Sequence, residues 1–191
     1  MNDLLHFSLS CGLAVAACTM RPMTEPKHSA RRPSDEITVA MLREVGLFGG
    51  LDDETLGVLA REVPAERVMV GTRVVSEGEA AREMFVVIDG ELEVLKRTSA
   101  GSEVRVAMLG PGGWFGEMSI LDPQPRSASV RALAPSRLLR ISSEHVDRLL
   151  YRRDLKAYSL FIMNIARELS RRLRTTDGIL AQFMGTIVES R

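Results

Sequence analysis

The sequence predicts an α+β fold built on an antiparallel β-roll of jelly-roll type, with about eight strands between N-terminal helices and a long C-terminal helix. Three observations support this prediction. Apolar residues recur at helical spacing before residue 64 and again after residue 142. Between these limits the apolar runs are short and rich in β-branched residues. Turn signals separate the runs at regular intervals, as is typical of all-β sandwiches and rolls.

Two short helices are predicted at the start of this region. Apolar residues within 37–45 recur at helical spacing, and Gly49-Gly50 ends that segment. The sequence Leu51-Asp52-Asp53-Glu54 resembles a capped helix start, because short acidic side chains can accept hydrogen bonds from the first turn. Pro64 then ends the second helix, since it cannot continue the hydrogen-bond ladder.

Seven runs with strand character follow. They cover residues 67–70, 73–75, 84–88, 91–95, 104–108, 128–132 and 137–141. Asp89-Gly90 separates two of these runs and favours a type I′ turn, whose central positions both need a positive φ. We therefore expect the strands on either side of Asp89-Gly90 to pair as a hairpin.

The C-terminal region returns to helical periodicity. Ser142 or Ser143 can cap a short helix, and Asp154 can open a long final helix. The apolar stripe of that helix shifts by one position midway and consists of Leu155, Tyr158, Ile162, Ile165, Leu169, Leu173, Thr176, Leu180, Phe183 and Ile187. So long a seam favours a homodimeric coiled coil, and the alternative is a helix folded back on its own roll. Gly178 lies within the stripe, so we expect the helix to break or flex there.

The composition is that of an ordinary globular protein. Of 191 residues, 45% are hydrophobic and 26% are charged, which excludes a chain disordered throughout, a collagen-like repeat and a membrane bundle. The 25 basic and 25 acidic residues cancel, so no global field indicates nucleic acid. Residues 148–174 nevertheless hold 8 basic and 2 acidic residues, and we interpret the basic run Arg171-Arg172-Arg174 as a solvated helix face.

Metal-dependent chemistry finds little support in the sequence. Cys11 and Cys18 both lie near the N-terminus, so neither a disulfide framework nor a cysteine zinc site can hold the remaining chain together. His6, His28 and His145 are scattered rather than clustered. We therefore expect a protein that is not an enzyme and that has no metal and no other cofactor; a cupin-like enzyme would share the roll but needs clustered metal ligands.

The chain divides into three predicted parts. Residues 1–35 form a flexible extension whose apolar run 7–18 resembles the core of a signal peptide, although no Lys or Arg precedes it. Residues 36–150 form the β-roll with its N-terminal helices, and residues 151–191 form the C-terminal helix and tail. We expect a cytoplasmic protein without a membrane span; lipoprotein-like export through Cys18 is the alternative.

Residues 110–128 contain the groups best suited to ligand binding. They form a glycine-rich turn, one short helical turn, a proline-rich elbow and the start of a strand. Free backbone N–H groups at the start of a helical turn suit an anion, and Gly116 lets a ligand approach the backbone closely. Arg126 offers a planar, two-pronged donor for phosphate oxygens, and Ser127 offers a hydroxyl donor.

Glu117 is the unexpected residue of this segment. A carboxylate beside an anion cradle repels the anion unless it serves another part of the ligand. Because an ionised carboxylate only accepts hydrogen bonds, Glu117 can accept a hydrogen bond from a sugar hydroxyl. The combination indicates a sugar phosphate held edge-on.

The sequence Phe-Gly-Glu-Met-Ser at 115–119, followed by Pro-Arg-Ser-Ala at 125–128, resembles the phosphate-binding cassette of the cyclic nucleotide-binding domain family. This family includes bacterial catabolite activators, regulatory subunits of cyclic-AMP-dependent protein kinase and cyclic-nucleotide-gated channels. The resemblance covers roughly residues 39–183. It implies that Glu117 and the Gly116 backbone hold the ribose 2′-hydroxyl.

The same resemblance implies the remaining ligand contacts. Arg126, Ser127 and backbone N–H groups of the cassette would hold the cyclic phosphate, and Met118 and Ala128 complete the expected ligand-binding set.

The final helix would form a lid over the base, with Thr176 placed where its hydroxyl meets the adenine amine. Asp177 departs from the family pattern, which has a serine there in the activators. We expect cyclic AMP to be preferred over cyclic GMP, although Ser127 suits both purines.

The expected output is a conformational change that a separate protein detects. Only about ten residues follow Ala181, too few for a helix-turn-helix, so we expect no DNA-binding domain. The ligand would pull on the 116–120 turn, shift the short helix after Ser142 and swing the final helix onto the base. The alternative is a ligand-independent dimerisation or scaffold module with a degenerate cassette.

Overall fold

The structure is a computed structural model that describes residues 36–189, with side chains described as far as residue 186. The export-like run and Cys18 lie outside the described residues. The helices are α1 Val39–Arg43, α2 Asp53–Glu62, α3 Met118–Leu121, α4 Ser143–His145 and α5 Leu155–Glu189, with a 3₁₀ turn at Gly46–Phe48 and a π-helical turn at Val146–Tyr151. The strands are β1 Ala65–Val68, β2 Arg73–Val75, β3 Glu83–Asp89, β4 Leu92–Arg97, β5 Glu103–Leu109, β6 Trp114–Phe115, β7 Ser129–Ala132 and β8 Ser136–Ser142.

The eight strands form two four-stranded antiparallel sheets. One sheet has the order β1-β8-β3-β6 and the other the order β2-β7-β4-β5. This arrangement confirms the predicted antiparallel roll flanked by helices. The two-residue strand β6, which pairs Phe115 with Phe85 and Trp114 with Val86, was not predicted because it lies inside the glycine-rich segment.

The predicted hairpin at Asp89-Gly90 is wrong. Strand β3 pairs with β8 and β6, whereas β4 pairs with β7 and β5, so the turn connects the two sheets. Gly90 has the expected positive φ of 98°. Its missing side chain makes room for β8, because a Cβ there would lie 2.1 Å from Ser136 Oγ. The hairpin of this region is β4–β5, closed by Thr98 N donating to Ser102 O at 2.8 Å.

Two hydrophobic clusters hold the layers together. The first joins the helices to the sheet of β3 and β8 and includes Leu42, Leu56, Leu139 and Phe161, all at most 1% exposed. The second lies between the sheets and includes the stacked rings of Phe85 and Phe115, whose centroids are 5.1 Å apart. Each fully buried side chain of this size stabilises the fold by about 1.5–3 kcal/mol, so these clusters fix the frame around residues 110–128.

Helix caps form where the sequence predicts them. Asp52 Oδ1 accepts a hydrogen bond from Thr55 N at 2.8 Å. Ser142 Oγ accepts from His145 N at 3.2 Å, while Ser142 N donates to His145 Nδ1. Asp154 Oδ1 accepts from the N–H groups of residues 156 and 157, and so opens α5.

The first half of helix α5 packs against the hydrophobic core of its own chain. Ala157, Phe161 and Ile165 are buried in the first cluster, whereas Leu173, Leu180 and Phe183 are exposed. The helix continues through Gly178, so the predicted break there is wrong; one glycine costs a helix only about 1 kcal/mol relative to alanine, too little to interrupt this helix. Among the helices described here, none is both long and apolar enough to span a membrane.

Candidate functional site

Gly116 and Arg126 are in direct contact, and the glycine makes that contact possible. Gly116 has a φ of 81°. A Cβ at this position would lie 2.3 Å from Arg126 Nη1 and 3.0 Å from Glu83 O. The guanidinium of Arg126 therefore lies against bare backbone, in a space that any other residue at position 116 would fill.

Arg126 is held below the surface by hydrogen bonds from one end of its guanidinium. Nη1 donates to Glu83 O at 2.7 Å, to Ser119 Oγ at 3.1 Å and to Gly116 O at 3.3 Å. The residue is only 6% exposed. Burial lowers its pKa, and the nearby carboxylates partly oppose that shift.

The other end of the guanidinium is unsatisfied. Nη2 of Arg126 is buried and has no hydrogen-bond partner among residues 36–189. The nearest carboxylate oxygen, Glu83 Oε1, is 4.0 Å away. A buried N–H group without a partner costs about 1–3 kcal/mol, so this end of Arg126 is suited to an anion that supplies the missing acceptor.

Glu117 is the second buried ionisable group of the site. It is 3% exposed and lies immediately before α3 with helical backbone angles. Burial raises the pKa of Glu117, and the positive charge of Arg172 partly offsets this effect. The carboxylate thus lies next to the Gly116–Arg126 contact and can accept a hydrogen bond from a neutral donor.

Arg172 contacts the candidate site, and the sequence analysis did not include it among the site residues. Its Nη1 donates to Glu117 Oε1 at 3.0 Å, its Nη2 donates to Trp114 O at 3.0 Å, and its Nε donates to Glu168 Oε1 at 3.0 Å. The interpretation of the 171–174 run as a purely solvated face is therefore wrong at this position. The burial of Glu117 explains why a cation pairs with it, but that burial is known only from the folded chain, so the sequence offered no signal for Arg172.

The short helix α3 follows Glu117 and is joined to Gly116 and Arg126 by hydrogen bonds of Ser119. Ser119 Oγ donates to Gly116 O at 2.7 Å and also accepts from Arg126 Nη1. Met118, by contrast, is 53% exposed. Helix α3 thus has a buried polar residue, Ser119, next to an exposed apolar residue, Met118.

The other expected ligand-binding residues lie nearer the surface. Ser127 is exposed, its Oγ lies 3.8 Å from Met118 Sδ, and Ala128 is half-buried. The carbonyl of Ser127 accepts a hydrogen bond from Lys96 Nζ at 2.5 Å, which anchors this stretch to β4.

Thr176 is exposed on α5, one helical turn beyond Arg172, and its hydroxyl donates to Arg172 O at 3.0 Å. The structure brings Gly116, Glu117 and Arg126 together and leaves Thr176 outside that group.

A cleft of about 380 Å³ lies beside the site rather than in it. It is lined by α3, the π-helical turn and α5, including Ile120, Tyr151 and Tyr158. Neither Glu117 nor Arg126 lines this cleft, so we place the candidate ligand site at these two buried polar residues and not in the cleft. Within residues 36–189 no three His, Cys, Asp or Glu side chains are close enough together to hold a metal ion.

Comparisons with known proteins point in one direction. Residues 65–153 match the family model of the cyclic nucleotide-binding domain. The chain is 28% identical over 151 residues to a CRP-like cAMP-activated global transcriptional regulator of Mycobacterium tuberculosis, covering 79% of this chain and 65% of that protein. It is 33% identical over 131 residues to a cyclic AMP receptor protein of Thermus thermophilus, covering 69% of this chain and 58% of that protein.

The fold agrees with a solved structure. The crystal structure of Thermus thermophilus catabolite activator protein superimposes with a TM-score of 0.64 at 31% identity, over 72% of this chain and 62% of that one. The chain spans less than two thirds of the length of the curated relatives named above.

Proposed function

The chain contains a domain of the cyclic nucleotide-binding family, and from this premise we propose that it is a sensor of purine cyclic nucleotides. The proposed ligand is cyclic AMP in preference to cyclic GMP. Binding would rearrange α5, and a separate protein would detect that change. The proposed domain limits are residues 36–150 for the ligand-binding roll and 151–191 for the helix and tail.

One observation carries the proposal. The buried guanidinium of Arg126 has an unpartnered Nη2, and it lies against Gly116, next to the buried carboxylate of Glu117. A buried donor for an anion beside a buried acceptor for a hydroxyl suits a molecule in which phosphate and sugar are fused. A ribose 3′,5′-cyclic phosphate has this combination.

The phosphate contacts are assigned from the donors that are available. Nη2 of Arg126 would donate to one phosphate oxygen, since it lacks another partner. Ser127 is exposed beside it, and its hydroxyl would donate to a second oxygen. Backbone N–H groups of the cassette, including those of Met118 and Ala128, would complete the phosphate site.

The ribose contact is assigned to Glu117 with the Gly116 backbone. Arg172 pairs with Oε1 of Glu117 at 3.0 Å, which holds the carboxylate in place and partly offsets the effect of burial on its pKa. Its second oxygen would accept a hydrogen bond from the ribose 2′-hydroxyl.

The base contact is assigned to Thr176, one turn beyond Arg172 on α5. Its hydroxyl would give up the hydrogen bond to Arg172 O and accept from the adenine amine. This contact is the basis for the proposed preference for cyclic AMP.

The coupling to α5 is assigned to Arg172. This residue joins α5 to two points of the site, Glu117 and the carbonyl of Trp114. A ligand that engages Glu117 adds a second partner to the carboxylate that Arg172 contacts, and it can favour one position of α5 only by binding that state more tightly. Movement of the 116–120 turn would then shift α5 through the contact between Glu117 and Arg172.

The exposed apolar residues of α5 support a homodimer. Leu173, Leu180 and Phe183 are each more than half exposed and recur at coiled-coil spacing. The same residues favour a second candidate function, a dimerisation or scaffold module that does not need a ligand. A cytoplasmic location is proposed because the proposed ligand is made and used there.

Calorimetric titration with cyclic AMP and with cyclic GMP tests the proposal. We expect saturable binding of one nucleotide per chain, tighter for cyclic AMP, without turnover of the ligand. Arg126→Ala should weaken binding by about 2–5 kcal/mol, because the bound anion loses its main buried partner. Arg152→Ala, which removes an exposed arginine paired with Asp147, is the matched control and should bind as the wild type does. A scaffold module would show no saturable binding, and wild-type affinity in Arg126→Ala would contradict the assigned phosphate site.

A further inference from the structure

We propose that Arg140 is a positioning residue for the phosphate site: it occupies the carboxylate of Glu83 and thereby leaves Arg126 free to bind the phosphate. This inference rests on the proposed function. Arg140 lies on β8, outside the residues 110–128 that carry the site, and its side chain donates hydrogen bonds to Glu83 and Glu66.

Glu83 stands between the two arginines. Its backbone carbonyl accepts from Arg126 Nη1 at 2.7 Å, and its side-chain Oε1 lies 4.0 Å from Arg126 Nη2. Its other oxygen, Oε2, accepts from Arg140 Nε at 2.6 Å. The carboxylate is therefore drawn toward Arg140, and the free end of Arg126 lies just beyond hydrogen-bond reach of it.

The pairing of Glu83 with Arg140 is fixed by the sheet. Arg140 on β8 is paired in register with Phe85 on β3, so the side chain of Arg140 is a diagonal neighbour of Glu83. A second carboxylate, Glu66 on β1, accepts from Arg140 Nη1 at 3.2 Å. Two acids on the flanking strands thus hold this guanidinium in position.

Without Arg140, Glu83 would compete with the ligand. Its side chain is only 25% exposed, so its charge is incompletely screened by water. A small rotation would bring Oε1 from 4.0 Å to hydrogen-bond distance of Nη2, which is the donor that we assign to the phosphate. The phosphate would then have to displace a carboxylate from Arg126.

The other acids around Arg126 also have hydrogen-bond donors as partners. The carboxylates that act on Arg126 electrostatically are those of Glu79, Glu83 and Glu117. Glu117 is paired with Arg172, and Glu79 accepts from Ser76 N at 3.1 Å. Arg140 therefore provides for Glu83 the partner that the other two acids already have.

The test is a double-mutant cycle in the full chain, with cyclic AMP as the titrant. Arg140→Gln should weaken binding about tenfold. Glu83→Gln alone should bind at least as tightly as the wild type, because the hydrogen bond from Arg126 to residue 83 uses the backbone carbonyl. The double variant should return to within about twofold of Glu83→Gln.

Arg137→Gln is the matched control. Arg137 lies on the same strand and pairs with Asp89 of β3, at the far end of the same strand pair from Arg140. We expect it to bind cyclic AMP with wild-type affinity. Thermal unfolding of each variant shows whether the fold is intact.

The outcomes separate the inference from the proposed function. If the wild type binds no cyclic nucleotide, the proposed function fails and this inference falls with it. If the wild type binds but Arg140→Gln binds equally well, only the inference is overturned. Weaker binding that Glu83→Gln does not restore would assign Arg140 a merely structural role and would also overturn it.

Discussion

The guanidinium of Arg172 donates from Nη1 to Oε1 of Glu117 at 3.0 Å, and so joins helix α5 to the buried carboxylate of the cassette. The two residues are 55 positions apart in sequence. Arg172 also donates to the carbonyl of Trp114, so one side chain of α5 contacts both sides of Gly116. The helix and the candidate ligand site are therefore already connected through groups that a ligand would contact.

We expect Glu117→Ala to remove discrimination between ribose and 2′-deoxyribose ligands. The assigned hydrogen bond to the 2′-hydroxyl involves a charged group, so its loss should weaken cyclic AMP binding by about 1.5–3 kcal/mol and leave 2′-deoxy cyclic AMP almost unaffected. Calorimetric titration with both ligands measures the difference.

Glu168→Ala is the control for that change. Glu168 also accepts from Arg172 at 3.0 Å but is located on α5 rather than in the cassette. This variant should keep the discrimination. Discrimination that persists in Glu117→Ala would remove Glu117 from the ribose site.

The ribose preference should also depend on pH. Burial raises the pKa of Glu117 above the usual value of 4.5. Protonation removes the charge of the carboxylate and weakens its hydrogen bond to the 2′-hydroxyl, so discrimination should decline on acidification at a pH above that usual value. Titrations at about pH 7.5 and about pH 5 should show a smaller ratio of ribose to deoxyribose affinity at the lower pH.

The contribution of Glu117 to folding stability should increase on acidification, whereas its contribution to ribose discrimination should decrease. When folding raises the pKa of a group, proton binding to that group stabilises the folded state. The stabilisation is complete at a pH below the pKa in the unfolded chain, and it is lost as the pH rises through the pKa in the folded chain. Relative to Glu117→Gln, the wild type should therefore gain stability as the pH falls from neutral toward 4.5. Chemical unfolding of both proteins across this range measures it, and parallel curves would contradict the raised pKa.

The sequence was sufficient for seven of the eight strands and for the caps, because their signals are local. The caps at Asp52, Ser142 and Asp154 depend on residues at most three positions away. The turn at Asp89-Gly90 was correctly placed, but the partners of its strands were not, because a turn residue sets φ and not the choice of neighbouring strand.

The site was predictable only in the part that is contiguous in sequence. Gly116, Glu117 and Arg126 lie within eleven residues of one another, and their chemistry identified them. Arg172 and Arg140 approach from distant elements, and the sequence around each gives no sign that it pairs with an acid of the site. Their roles follow from burial and register, which only the folded chain provides.

Gly116→Ala should abolish nucleotide binding and also destabilise the fold. The added Cβ would lie 2.3 Å from Arg126 Nη1, so the guanidinium must leave its place. The φ of 81° costs an additional ~1–3 kcal/mol in an alanine. We expect a lower unfolding midpoint and no saturable binding of cyclic AMP.

Gly178→Ala is the contrasting substitution. Gly178 lies within α5, where a Cβ would meet nothing within 4 Å. Here the change should stabilise the helix by up to ~1 kcal/mol and leave binding intact. Equal effects of the two substitutions would show that the close approach at Gly116 has no role in the site.

The distal half of α5 should determine the oligomeric state. Leu180 and Phe183 are 57% and 63% exposed, and with Leu173 they form one stripe along the helix. If that stripe faces a second copy, Leu180→Asp removes a buried apolar side chain from both chains, at ~1.5–3 kcal/mol for each. Dimer affinity should therefore fall at least about hundredfold, as measured by sedimentation equilibrium. Gln182→Asp adds the same charge on the opposite side of the helix and should leave the dimer intact. A wild-type chain that sediments as a monomer at micromolar concentration would contradict the homodimer, and with it the coiled-coil interpretation of the stripe.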